Sequence, residues 1–189
     1  MSLENLKQRL QILQAVVSDE STAERVSIAA AFAVIPEYKT RIFTDGLTTG
    51  GSPIGQYSTN PFYQNPNALI GVAASGITPE GKNGQRVFKN GKNHKTKYLS
   101  GGYSELRQKT GRQNSTVDLN FSGSLERSVQ VVEESGTAYI RYTNDFEAEK
   151  MTANERRFGA DISGVSDDER ELGLRSAAIE LREILDSIL

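Results

Sequence analysis

Residues 99–128 read LSGGYSELRQKTGRQNSTVDLNFSGSLERS and hold the clearest succession of elements in the chain. Ser100-Gly101-Gly102 is a turn signal, because glycine adopts backbone angles that other residues avoid. Tyr103 to Lys109 is helix-compatible, with Tyr103 and Leu106 one turn apart on one face, and Gly111 is placed to close that helix. The period then changes. Val117, Leu119 and Phe121 alternate with Asp118 and Asn120, which predicts a half-buried strand. Ser122-Gly123-Ser124 turns the chain, and a second strand is predicted through Val129 to Val132.

Working outward toward the C-terminus, Ala138, Ile140 and Tyr142 alternate with Tyr139, Arg141 and Thr143. This predicts a third antiparallel strand, joined to the second through Ser135-Gly136. Asp145 to Arg157 is polar and helix-permissive, and Phe158-Gly159 ends it. Ser166 followed three residues later by Glu169 is a capping box, with Asp167 and Asp168 in the first turn where the helix dipole favours negative charge. Leu174, Ala178, Leu181, Leu185 and Ile188 trace the apolar stripe of that last helix. Gly173 inside it costs about 1 kcal/mol relative to alanine, which predicts loose first turns.

Toward the N-terminus, residues 44–98 are the least regular part, with turn signals at Asp45-Gly46, Gly50-Gly51-Ser52-Pro53, Asn60-Pro61 and the hairpin dipeptide Asn90-Gly91. A stretch this long without regular structure is a functional loop, an arm ordered by a partner, or disordered in the free subunit. Before it, Leu3, Leu6, Leu10 and Leu13 repeat at three- and four-residue spacing on a first helix. That stripe is core, or a contact with a neighbouring subunit. A second helix runs from about Thr22 through Ala33; Pro36 is expected to end or kink it, with a further turn reaching Phe43. The expectation is an α+β fold: N- and C-terminal helices packed on a small antiparallel β-sheet, with long loops or arms. It forms one domain over 1–189, with an arm region at 44–98 and a C-terminal helix within 160–189.

Apolar residues make up 37% of the 189, a modest share that implies a thin core. Cysteine is absent, which removes disulfides, thiolate metal sites and cysteine nucleophiles together. No apolar run reaches membrane-spanning length, and the polar start MSLENLKQRL lacks the core of a signal peptide, so synthesis in the cytoplasm is the expectation. The net charge of −2 is unevenly spread: residues 80–114 carry nine basic against two acidic residues, and residues 115–189 eight basic against sixteen acidic. Such a chain suits head-to-tail pairing with its own copies in a ring or filament; the alternative is that both charge sets are solvated surface.

Chemistry finds little purchase. The glycines from Gly46 to Gly55 are not a phosphate loop, since no Gly-Lys-Ser/Thr follows and Pro53 sits where a helix would begin. His94 is the only histidine and lies among basic loop residues, so neither a zinc site nor a Ser–His–Asp triad is indicated. The carboxylates fall on helices read as solvated, and no catalytic, cofactor-binding or metal residue is assigned. Lys89, Lys92, Lys95 and Lys97, interleaved with Phe88 and Tyr98, are candidates for facing DNA or a ring lumen.

The ordered set Arg41-Ile42-Phe43, Asp45-Gly46, Gly51-Ser52-Pro53-Ile54-Gly55-Gln56-Tyr57-Ser58, Gly102-Tyr103, Leu106-Arg107, Gly111-Arg112-Gln113, Asp118-Leu119, Ser122-Gly123-Ser124-Leu125, Asn154-Glu155 and Arg157-Phe158-Gly159 resembles small virion-morphogenesis proteins of tailed bacteriophages, of the tail-completion or head–tail joining type. The likeness covers roughly residues 38–172. It implies helices over a small antiparallel sheet and a structural, non-enzymatic role without cofactor at the virion neck, as a multi-copy ring. The partners it implies are its own copies, the portal or adaptor, and the tail-tube or tail-terminator proteins, with transient contact to passing DNA and none to membrane. Localisation would be the virion, and the host cytoplasm during assembly. In that setting Tyr57, Phe62 and Tyr63 would anchor an arm on an adjacent subunit, and Leu3, Leu6, Leu10 and Leu13 would supply helix contacts; the alternative is that the aromatics fold back on their own domain. The chain departs from the family pattern at Pro36 and in a Gly/Ala-rich insertion around 68–83. A tail terminator or minor tail protein is the competing role within the class. A nucleic-acid-binding accessory protein is the competitor from another class.

Overall fold

Asp19 opens the second helix: its carboxylate accepts the Thr22 N–H at 3.1 Å, capping α2 (Glu20–Thr40) and separating it from α1 (Leu3–Val17). The computed structural model describes residues 3–64, 85–87, 93–95, 97–120 and 122–188, with side chains outside the description at 3–6, 85–87, 93–95 and 97. The fold is α+β, and its strands form three antiparallel pairs among the described residues: β1 (Phe62–Gln64) with β4 (Lys97–Leu99), β2 (Gln85–Val87) with β3 (Asn93–Lys95), and β5 (Val129–Glu134) with β6 (Thr137–Tyr142). The helices that follow are α3 (Gly102–Lys109), α4 (Ser124–Ser128), α5 (Asp145–Phe158) and α6 (Asp167–Ile188). None of the described helices is long and apolar enough to cross a membrane.

The chain divides into two compact units: residues 1–54 with 118–189, and the inserted residues 55–117. The expected arm at 44–98 is therefore shared out, its first residues belonging to one unit and the rest to the other.

In the first unit α2 lies antiparallel on α6, and the β5–β6 hairpin packs on α2. Ser135 and Gly136 both take positive φ (51° and 72°), the twist a two-residue hairpin turn demands. Pro36 does not end α2. It is exposed on the same side as Phe32, so the carbonyl that loses its helical partner lies on the outer face of the helix, while Val34 and Tyr38 hold the inner face. A single wide turn, Arg41–Asp45, follows and closes at Gly46 in the left-handed region (φ 67°).

Two further expectations are corrected. Val117 to Asn120 is not a strand: the Asp118 carboxylate accepts the Asn120 N–H at 2.9 Å and Leu119 takes φ 50°, so a local side-chain turn displaces the ladder. The expected three-stranded sheet is thus a two-stranded hairpin, led in by the short helix α4. The buried face of α6 is not the leucine stripe. Glu169, Gly173 and Ile184 are the buried residues, whereas Leu174, Ala178 and Ile188 are exposed. Gly173 is the point of closest approach, where an added Cβ would stand 3.0 Å from Val34 Cγ2. The absent side chain lets the helices close rather than loosening the turn.

In the second unit, Leu99, Leu106 and Val117 are buried. β4 leads directly into α3, which ends with Gly111 at φ 71°. The Asn90-Gly91 turn and the 68–83 insertion lie outside the described residues.

Candidate functional site

The turn after α2 swings Arg41 inward, where it is 8% exposed and all five of its N–H donors are engaged. Nε donates to Glu169 Oε1 at 2.7 Å and Nη2 to Glu169 Oε2 at 3.3 Å. Nη1 donates to the carbonyls of Leu47 and Ile162 (3.2 and 3.1 Å), and Nη2 to that of Gly164 (2.7 Å). One side chain thereby fixes the 46–54 loop, the 159–166 loop and the start of α6. The predicted capping box is the other half of this knot: Glu169 Oε2 accepts the Ser166 N–H at 2.8 Å, and Ser166 Oγ accepts the Glu169 N–H at 3.3 Å.

Two more side chains clamp the 159–166 loop. Tyr38 O–H donates to the Ser163 carbonyl at 3.1 Å, and its ring lies 5.3 Å from the Arg41 guanidinium carbon. Burial pushes the Tyr38 phenol above its ordinary pKa, and pushes up Tyr142, whose hydroxyl lies 3.5 Å away. Glu155 Oε1 accepts the N–H groups of Ile162 and Ser163 and the Ser163 hydroxyl at 2.7–3.1 Å. Desolvation works to raise that carboxyl, but the Ser163 and Ile162 bonds outweigh it and hold it below the usual carboxylate range.

A cleft of about 590 Å³ opens above the knot, bordered by Glu37, Thr40, Asp45, Thr49, Asp167 and Asp168. The charged groups Arg41 and Glu169 within it are engaged by each other and by the backbone they hold. No group of three or more His, Cys, Asp or Glu among the described residues is arranged to hold a metal ion. Chemically the cleft is a scaffold joint with an acidic rim. Elsewhere in the unit, Glu147 Oε2 is buried without a hydrogen-bond partner while Oε1 accepts from Lys150 at 2.7 Å.

The second unit has its own lock. Arg107 is 1% exposed, donates through Nε to the Gln113 carbonyl at 2.6 Å, and covers the Tyr57 ring at 4.4 Å. Tyr57 also meets Tyr103, ring centroids 5.4 Å apart. Gly102, at φ 68°, lets the 58–60 backbone run against α3: a Cβ there would sit 2.5 Å from the Thr59 carbonyl carbon.

The residues expected to make subunit contacts are placed as follows. Tyr57 does not project as an arm anchor; it is buried in its own unit under Arg107. Phe62 and Tyr63 sit on β1, half-buried and exposed respectively, paired with Leu99 and Tyr98. Leu10 is 57% exposed, against the core reading of the leucine stripe, and Leu13 is half-buried. Leu3 and Leu6 lie on α1, with side chains outside the description. Of the basic candidates, Lys95 and Lys97 fall on β3 and β4, and Lys89 and Lys92 lie outside the described residues. Sequence reasoning missed the Arg41–Glu169 pair; its local half, the capping box, was the available signal. No protein-family model, curated protein or solved structure matches the chain.

Proposed function

We propose that the chain is a structural virion protein of a tailed bacteriophage, a tail-completion or head–tail joining subunit that works in a multi-copy ring and carries out no catalysis. The observation that carries the reading is where the motif residues fall. Arg41, Gly46, Glu155 and Gly159 in one unit, and Tyr57, Gly102 and Arg107 in the other, are joints that hold backbone, with their polar groups turned inward. A scaffold in which these characteristic residues serve its own shape suits an assembly part. The large apolar side chains exposed on α1 and α6 supply surface for contact between copies.

Native mass spectrometry and sedimentation of the full chain, at low and high salt, test the proposal. A discrete closed oligomer that persists in high salt is expected, because apolar contacts are not screened. A chain that remains monomeric and binds DNA with steep loss of affinity as salt rises would overturn it in favour of the nucleic-acid accessory role.

A further inference from the structure

We propose that α1 of one copy packs antiparallel along the exposed flank of α6 of the next copy. The inference rests on the self-assembling part of the reading above and names the surfaces that would do it. On α1 one apolar stripe is Leu3, Leu6, Leu10, Leu13 and Val17; on α6 one is Leu174, Ala178, Leu181, Leu185 and Ile188. Read from N to C, the α1 positions step by three, four, three, four; read from C to N, the α6 positions do the same. Antiparallel helices therefore meet layer on layer, with Val17 against Leu174, Leu13 against Ala178 and Leu10 against Leu181. This is the heptad spacing of a two-helix seam.

Leu10 and Val17 on one stripe, and Leu174, Ala178 and Ile188 on the other, are exposed, while Leu13, Leu181 and Leu185 are half-buried. Val17 is 63% and Leu174 65% exposed, and they fall in the same layer of the seam. Val16, 8% exposed, is the one buried residue among the described α1 side chains, and a 15-residue helix is marginal in water without a packed face. Charge selects the partner. α1 carries Glu4 against Lys7 and Arg9, a net +1, whereas α6 carries seven acidic against three basic residues, a net −4. Pairing α6 with α6 brings like charge together; pairing it with α1 does not. Because the two surfaces differ, each contact leaves one α1 and one α6 free, and the chain of contacts closes into a ring or runs on as a filament.

The absence of native cysteine makes the test direct. Val17→Cys and Leu174→Cys chains are mixed and mildly oxidised. Loss of monomer to a disulfide-linked two-chain species is expected from the mixture and from neither variant alone. Leu10→Cys mixed with Leu174→Cys stays uncoupled, since those positions lie about 10 Å apart along the seam and a disulfide needs Cα atoms within about 7 Å. Coupling of Val17→Cys with itself, an internal bond in the double variant, or no bond at all would each overturn the contact. The native mass of the unsubstituted chain separates the failures. A discrete oligomer without the cross-link sinks this contact and leaves the ring, and a monomer without it sinks both. The cross-link in an open filament keeps the contact and removes the ring.

Discussion

Arg41 and Glu169 are each under one-tenth exposed, so removing one partner strands a buried charge. Arg41→Met is expected to cost about 3–5 kcal/mol in urea unfolding, and adding Glu169→Met to recover much of it, less about 1 kcal/mol for the lost cap. No recovery in the double variant would mean the pair acts through the loop carbonyls rather than through its charge. In the other unit, Gly102→Ala combines a left-handed φ with a clash at 2.5 Å against backbone, for about 2–4 kcal/mol. Gly111→Ala, at φ 71° in open space, carries only the backbone cost of about 1–2 kcal/mol. Glu155 adds a pH dependence. Its carboxyl is held below the ordinary value of 4.5, so its contribution is complete above that pH and is lost as the pH falls below it. The protection of the Ile162 and Ser163 amides, taken relative to the intrinsic exchange rate at each pH, should therefore fall in acid, and Glu155→Gln should flatten that response.

At the scale of elements, the α2–α6 interface shows what a sequence reveals and what it hides. The capping box was legible because its two bonds join residues three apart. The start of α2, the β5–β6 hairpin and the Gly159 end of α5 were legible for the same reason: local chemistry decides them. The buried face of α6 was not, because hydropathy favours leucine, whereas the contact is built on Gly173 and on Glu169, whose partner Arg41 lies 128 residues away. The strand expected at 117–121 failed in the opposite way. The alternation was present, but the Asp118–Asn120 bond offered the backbone a competing turn. Gly173→Leu tests the interface. Its side chain has no room against Val34 and Ala30, so the helices must separate, with an expected loss of about 1–3 kcal/mol and faster amide exchange in both. Unchanged stability would show that α2 and α6 can slide apart without cost.

For the whole molecule, the consequence is a division between side chains that hold the subunit and side chains that join subunits, and α6 carries both. Ile184 is 4% exposed on the face toward the subunit interior, so Ile184→Ala should lower unfolding stability by about 2–5 kcal/mol. Leu174 points away from that face, so Leu174→Glu should leave the monomer's stability within about 0.5 kcal/mol of the original. The same substitution puts a carboxylate into an apolar seam, where burial without a partner is unfavourable, and the assembly should come apart. Sedimentation of the two variants beside the unsubstituted chain reads both effects at once. A smaller particle with unchanged unfolding for Leu174→Glu supports assembly through the outer flank of α6. A Leu174→Glu chain that sediments like the original puts the ring contact elsewhere, and one that unfolds early makes Leu174 part of the subunit's own fold.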